Sequence, residues 1–244
     1  MPPIRFDEGI AATYDEDSAE RFDPQLLAAT TEFLAGQAGG GRALELAIGT
    51  GRVAAPLAER GIAVAGIELS PYMLAQLRAK PEAAEIEVVE GDMTRARVPG
   101  EFALVYLVYN TITNLTTQDQ QVACFENAAR HLRPGGRFLV EVFVPILQKL
   151  PVGERFHVFA EEPGYHAFDE YDVVTQVEWS HHLRLREDGT YQRFSAPYRY
   201  VWPAELDLMA RIAGLHLVER WEDWERRPFT AESAQHVSVW AKPA

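Results

Sequence analysis

Ala43-Leu44-Glu45-Leu46-Ala47-Ile48-Gly49-Thr50-Gly51-Arg52 decides the fold. Ala43 to Leu46 is an apolar run too short for a helical period. Gly39-Gly40-Gly41 bounds it on the left, so it reads as a buried strand. Past the small-residue turn, Val53, Leu57 and Ala58 recur at helical spacing until Gly61. A glycine turn between a strand and a helix lets a ligand approach bare backbone, with the helix N-terminus behind it. Gly49-Thr50-Gly51-Arg52-Val53-Ala54 also satisfies G-x-G-x-x-G/A, a pattern of low specificity alone. The informative residue is Glu45, an acid inside the strand and four positions before Gly49. A pyrophosphate gains nothing from an anion there; a cationic ligand does.

Outward from this unit, strands and helices alternate. Asp23 caps a helix that has Pro24 at its first position and turns Leu26, Leu27 and Leu34 inward. Strand 42–47, helix 51–60 and strand 62–68 follow. Ser70 and Pro71 open a helix carrying Met73, Leu74 and Leu77. Strands are predicted over 85–90 and 102–109. A Thr117–Gln120 capping box starts helix 118–132, and Arg133-Pro134-Gly135-Gly136 turns into strand 137–144. Such alternation implies right-handed crossovers and a parallel sheet. Residues 1–22, acidic and aromatic around Tyr14, read as a mobile or lid-like segment. At about residue 145 the texture changes. Asp172 to Trp179, His181 to Arg186 and Tyr191 to Tyr200 read as antiparallel strands, with Asp188-Gly189 as a hairpin turn. Helix 203–213 (Leu206, Leu208, Met209, Ile212) and strands 215–221 and 236–241 complete the chain. The division expected is a cofactor-binding core with an N-terminal lid over 1–144, an insertion over 145–202 and a completion of the core over 203–244.

The chain has 244 residues, 47% of them hydrophobic, and a formal net charge of −13. That balance argues against binding a phosphate backbone, which needs a basic face. The single cysteine, Cys124, provides neither a disulfide framework nor a cysteine metal site, and its helical surroundings mark it as a buried apolar residue. Met1-Pro2-Pro3-Ile4-Arg5 has no apolar leader pattern, and the run Phe102 to Tyr109 is too short to span a bilayer. A cytoplasmic protein with small-molecule partners, no nucleic acid, no membrane and no metal is expected.

Glu68, Asp92 and Asn110 stand at the predicted C-terminal ends of three successive strands, where ligands of open parallel sheets bind. Glu68 lies 17 residues after Gly51, which suits a carboxylate that accepts both hydroxyls of a ribose. Asp92 can accept from an adenine amine, with Met73 and Met93 as apolar walls. Dinucleotides and S-adenosylmethionine both use this arrangement.

Leu44 to Gly51, Gly66-Ile67-Glu68-Leu69-Ser70-Pro71-Tyr72-Met73-Leu74, Gly91-Asp92-Met93 and Leu132-Arg133-Pro134-Gly135-Gly136 resemble the motifs of class I S-adenosylmethionine-dependent methyltransferases. The resemblance covers about residues 10–144. It implies a Rossmann-like α/β fold: a mostly parallel seven-stranded sheet with helices on both faces, plus an antiparallel β insertion after the fifth strand. It also implies S-adenosyl-L-methionine as cofactor, held by Tyr14, Glu45, Ala47, Gly49, Gly51, Glu68, Leu69, Met73, Asp92, Met93, Tyr109 and Asn110. Glu45 would lie near the methionyl amino group and the sulfonium. Tyr109-Asn110 would lie beside the methyl donor, and Tyr14 would close over the cofactor. Two departures stand out: Glu45 replaces the commoner Asp, and Ala47 replaces the first Gly.

The insertion resembles, in placement and texture, that of the antibiotic amino-sugar N-methyltransferases. Tyr165, His166, Tyr198 and Trp202 are candidate acceptor contacts, and one of His181 and His182 is a candidate base. Neighbours on a strand point to opposite faces, so at most one of these histidines faces the crevice and a joint metal site is not expected. The insertion also offers a surface for a homodimer. The function expected is methyl transfer to N or O of a small molecule, mainly by alignment. The alternatives are an NAD(P)-dependent oxidoreductase, which leaves Glu45 and Gly91-Asp92-Met93 unexplained, and a non-catalytic nucleotide-binding protein of the same fold. Binding of S-adenosylhomocysteine against NAD separates the first, and turnover the second.

Overall fold

A computed structural model describes residues 6–83 and 85–244; the leader reading of Met1 to Arg5 lies outside the described residues. Helix α1 (Glu8–Asp17) is followed by α2 (Pro24–Ala38), β1 (Ala43–Leu46), α3 (Ala54–Glu59), β2 (Val64–Glu68), α4 (Pro71–Arg78), β3 (Glu87–Glu90) and β4 (Phe102–Leu107). Then come α5 (Gln118–His131), β5 (Leu132–Phe143), four insertion strands β6 (Phe156–Glu162), β7 (Tyr165–Asp172), β8 (Val177–Leu185) and β9 (Tyr191–Arg199), and finally α6 (Pro203–Ile212), β10 (His216–Trp221) and β11 (Gln235–Ala241). The main sheet has the order β10-β11-β5-β4-β1-β2-β3. Only β11 runs against its neighbours in this sheet. The strand order therefore reverses between β1 and β4, and a crevice opens at their carboxyl ends.

The caps form as the residues dictate. Asp23 accepts from the amides of Gln25 and Leu26, and Gly39 ends α2 in the left-handed conformation at φ 55°. Thr117 and Gln120 make the full capping box of α5. Arg133 to Gly136 sit opposite no residue of β4, because Phe102 pairs with Leu132 and Leu104 with Arg137. The core has two layers. Phe125 and Phe138 pack with Trp240 beneath α5 and α6; Phe33, Leu34 and Leu57 pack beneath α2 and α3. Cys124 lies in the first layer, its thiol pushed up to about 12 by burial. No helix among the described residues is long and apolar enough to cross a membrane.

Two expectations need correction. The insertion has four strands, not three, in the antiparallel order β6-β7-β8-β9. Asp172 to Trp179 is broken by a turn at residues 173–176: Asp172 accepts from the Val174 amide and the Thr175 hydroxyl, and Gln176 takes φ 56°. The Val173-Val174 pair mimics a strand but sits exposed on that turn. Residues 8–17 of the predicted lid are a helix, capped by Asp7 through the Ile10 amide. On α6, Leu206 and Met209 are buried, whereas Leu208 and Ile212 face solvent.

A buried polar network joins the insertion to the core. Arg199 at the end of β9 donates to Glu205 (2.6 Å), Gln176 (3.0 Å) and Gln121, and Gln121 donates back to the Arg199 carbonyl (3.0 Å). The β6–β9 sheet is thereby fixed beside the crevice.

Gly66 links the sheet to the turn after β1. A side chain there would meet Ile48 atoms at 2.6–2.9 Å. Overpacking of this kind costs about 1–3 kcal/mol. Gly66→Ala should lower stability in urea unfolding by that amount; an unchanged midpoint would show that Ile48 has room to move.

Candidate active site

The turn after β1 is built from left-handed backbone: Ala47 at φ 54°, Gly49 at 59° and Gly51 at 82°. Glycine takes this conformation freely; Ala47 does so at a cost of about 1 kcal/mol. Ala47 therefore adopts the backbone its glycine-like position demands. Glu68, at the end of β2, braces the turn: Oε2 accepts from the Gly49 amide (2.9 Å) and Oε1 from the Ser70 amide (2.8 Å). Burial raises its pKa, and these amides oppose the rise. Each oxygen keeps a further lone pair, enough for a ribose diol. Met73 abuts the turn, with Cε 3.4 Å from where a Gly49 side chain would begin, while Leu69 is exposed at the rim.

Glu45 is buried in β1 opposite Tyr106, whose hydroxyl donates to Oε2 at 3.0 Å. Burial pushes its pKa up to about 8, against the pull of Tyr106 and the Arg52 guanidinium. Burial thus favours the neutral form of this acid. Asp92 follows β3 and accepts from Thr94 through Oδ1, from N at 2.8 Å and Oγ1 at 2.7 Å. Its Oδ2 is 3.7 Å from Arg95 Nε and keeps capacity for an adenine amine. Met93 is buried beside it.

Tyr109 and Asn110, just past β4, are consecutive non-glycine residues in left-handed backbone, at φ 55° and 57°. Such conformations cost of order 1–3 kcal/mol each and persist where surroundings over-determine them. Glu141 of β5 does this. It accepts from the Tyr109 amide through Oε2 (2.8 Å), from Trp224 Nε1 through Oε1 (3.0 Å), and from the Asn110 amide through its carbonyl (3.2 Å). Asn110 Oδ1 accepts from the Phe143 amide (2.6 Å). The Arg21 guanidinium stands 4.6 Å over the Tyr109 ring.

Helix α1 is latched to the same turn. Asp15 accepts from the Thr50 hydroxyl and the Lys80 ammonium, both at 2.6 Å, and the Ser70 hydroxyl donates to the Phe6 carbonyl at 2.5 Å. Tyr14 is thereby carried into a cavity of about 660 Å³. Burial pushes its phenol up to about 12. Tyr109, Asn110, Phe143 and Lys149 form other parts of the wall, and the β6–β9 sheet contributes His157, Asp169, Glu178 and Tyr198.

Of the four expected acceptor contacts, Tyr198 lines this cavity among the described residues; Tyr165, His166 and Trp202 do not. Tyr165 hydrogen-bonds His182 Nδ1 (2.7 Å) beyond the cavity, and His166 packs on Tyr191. The predicted alternation holds: His182 shares a face with Ser180, while His181 turns to Phe168 and Ser195. Neither ring lines the cavity. Sequence reasoning missed Tyr106, Asp15, Glu141, Asp169 and Glu178. Glu141 carried the same signal as Glu45, an acid within an apolar strand.

Residues 43–136 match the model of the methyltransferase domain family. The CcbJ methyltransferase from Streptomyces caelestis is 38% identical, covers 96% of each chain and superposes with a TM-score of 0.84. A cypemycin N-terminal methyltransferase from Streptomyces sp is 27% identical over 80% of this chain and 81% of its own. The S-adenosylmethionine-bound CalS10, an amino pentose methyltransferase from Micromonospora echinaspora, shares the fold at 19% identity, TM-score 0.70, with 99% of each chain covered. The chain belongs to the class I S-adenosylmethionine-dependent methyltransferases. The nicotinamide and non-catalytic alternatives are thereby set aside.

The Glu45 pKa carries a sign. In the fold it is about 8 against an ordinary 4.5, so its contribution to stability is complete below 4.5 and is lost as pH rises through about 8. Glu45→Gln keeps an oxygen for Tyr106 and cannot ionise. Without cofactor, its stability should gain on wild type as pH climbs from about 5 to about 8. Denaturation curves that stay parallel across that range would contradict a neutral Glu45.

Proposed function

We propose that the enzyme moves the methyl group of S-adenosylmethionine to a nitrogen of a small acceptor bound between Tyr109 and the β6–β9 sheet. The observation that carries this is the cavity. Its 660 Å³ suit a small molecule rather than a polymer. It adjoins the strained Tyr109-Asn110 corner at the switch point of the sheet, where the methyl donor is expected. Nitrogen is preferred to oxygen because the similar proteins include an N-terminal methyltransferase and an amino pentose methyltransferase.

The proposed division of labour follows the fold. Residues 1–144 and 203–244 hold the cofactor: Glu68 the ribose, Asp92 the adenine amine, Glu45 the cationic end, with Ala47, Gly49, Gly51, Leu69, Met73 and Met93 around it. Residues 145–202, with Tyr14, enclose and select the acceptor. The cofactor supplies an activated methyl group through its own sulfonium. The protein aligns the two partners and excludes water. Alignment of this kind is worth about 7–11 kcal/mol.

A mass-resolved screen of amines and alcohols should yield a product one methyl heavier, substituted on nitrogen; methylation confined to oxygen would contradict the nitrogen assignment. Glu68→Ala should weaken S-adenosylhomocysteine binding about 10- to 100-fold by calorimetry, since it removes charge-assisted hydrogen bonds. Unchanged affinity would remove Glu68 from the ribose. Asp92→Ala should harm adenosyl ligands more than inosine analogues, which lack the amine donor; equal losses would leave Asp92 only its Thr94 turn.

A further inference from the structure

The cavity wall formed by the β6–β9 sheet carries two acids that the cofactor site does not use. Asp169 on β7 pairs in register with His157 on β6 and Ser180 on β8. Glu178 on β8 pairs with Tyr171 on β7 and Tyr198 on β9. The acids are therefore diagonal neighbours on one face, and both line the cavity. Cross-strand diagonals of this kind bring side chains within mutual reach.

Their surroundings lack a strong cation. Asp169 Oδ2 lies 3.9 Å from His157 Nδ1, and Asp169 Oδ1 is completely buried without a hydrogen-bond partner among the described residues. Glu178 forms no ion pair among the described residues. The other titratable or charged groups on the wall are Arg21, Lys149, Tyr14, Tyr109, Tyr171, Tyr198 and Tyr200. Arg21 lies over the rings of Tyr109 and Phe143, and among the described residues neither Arg21 nor Lys149 pairs with these acids. Burial, and then Asp169, push Glu178 up to about 7; burial raises Asp169 also. Two acids half-buried on an aromatic cavity wall are costly to charge together, and a cation from the ligand offsets that cost.

We propose that Asp169 and Glu178 form an ammonium pocket: the pair holds the protonated amine of the acceptor and takes the proton that the amine must shed before attack. This rests on the nitrogen reading above and names the class of acceptor, an amine that enters as its cation. The ammonium gives one proton to the carboxylate pair and becomes a neutral amine. Its lone pair forms the N–C bond to the methyl group as the C–S bond breaks. The bonding pair stays on sulfur, which loses its charge, and the product leaves as a methylated ammonium. A base near neutrality is well matched to the proton step. The aromatic wall of Tyr171, Tyr198 and Phe159 suits the apolar body of such a cation.

The test uses cyclohexylamine and its neutral isostere cyclohexanol on enzyme saturated with S-adenosylhomocysteine, with binding read by ligand-observed NMR titration. Wild type should prefer the amine about tenfold, the size expected of a hydrogen bond to a charged group. Asp169→Asn and Glu178→Gln should each reduce that preference, and together should bring it within about twofold. Cyclohexanol and S-adenosylhomocysteine affinities should be unchanged, which shows that the variants fold. No preference in wild type, including no binding of either probe, or a preference that survives both substitutions, would overturn the pocket. The two readings fail differently. Methyl transfer confined to hydroxyl acceptors, with the amine preference intact, would refute the nitrogen reading. Amine methylation equally fast in wild type and double variant would refute the carboxylate pair.

Discussion

The carboxylate of Glu68, accepting from the Gly49 and Ser70 amides, is the contact on which the site depends. The left-handed turn after β1 and the loop after β2 leave the Gly49 and Ser70 amides with no backbone partner. Buried amides of that kind must be paired. Glu68 reaches them because β1 and β2 are parallel neighbours in register, with Leu46 opposite Ile67. Gly66 leaves the space that Ile48 fills, so the turn lies close over β2. Asp15 and the Phe6 carbonyl then fasten α1 to Thr50 and Ser70 on the outside. One buried acid thus orders the turn, the next loop and the platform for α1.

Electrostatics distinguishes the two halves of the crevice. On the side of the β1 turn, burial raises the Glu45 pKa and favours its neutral form. On the acceptor side Asp169 and Glu178 are raised in the same way, with burial as the first cause. The Tyr109-Asn110 corner, fixed by Glu141, lines the same cavity as Asp169 and Glu178. In the proposed reading both halves receive cations. Closed walls matter because water would screen the charges and loosen alignment.

The core was legible for physical reasons. Buried parallel strands are continuous apolar runs, and caps such as Asp23 and Thr117 are local hydrogen bonds, so both are written in short stretches. Glu45 was legible because an acid in such a run has no structural excuse. The insertion was harder to read. Its strands have one wet face, so apolar and polar residues mix, and Val173-Val174 imitates a strand on a turn held by Asp172. Segment 156–172, not recognised as two strands, hid Asp169. The partner of Glu45 was equally hidden: Tyr106 belongs to a different strand, and only the β1–β4 register brings them together. Histidines drew attention by type, yet His181 and His182 bind Ser195 and Tyr165 instead of facing the cavity.

The central claim is that a neutral, buried Glu45 becomes the counter-ion of a cationic cofactor. Calorimetry of S-adenosylmethionine binding near neutral pH, repeated in buffers of different ionisation enthalpy, counts the protons released. If Glu45 starts near a pKa of about 8 and ionises on binding, wild type should release close to one proton per cofactor more than Glu45→Gln. Equal proton counts for the two proteins would contradict the account.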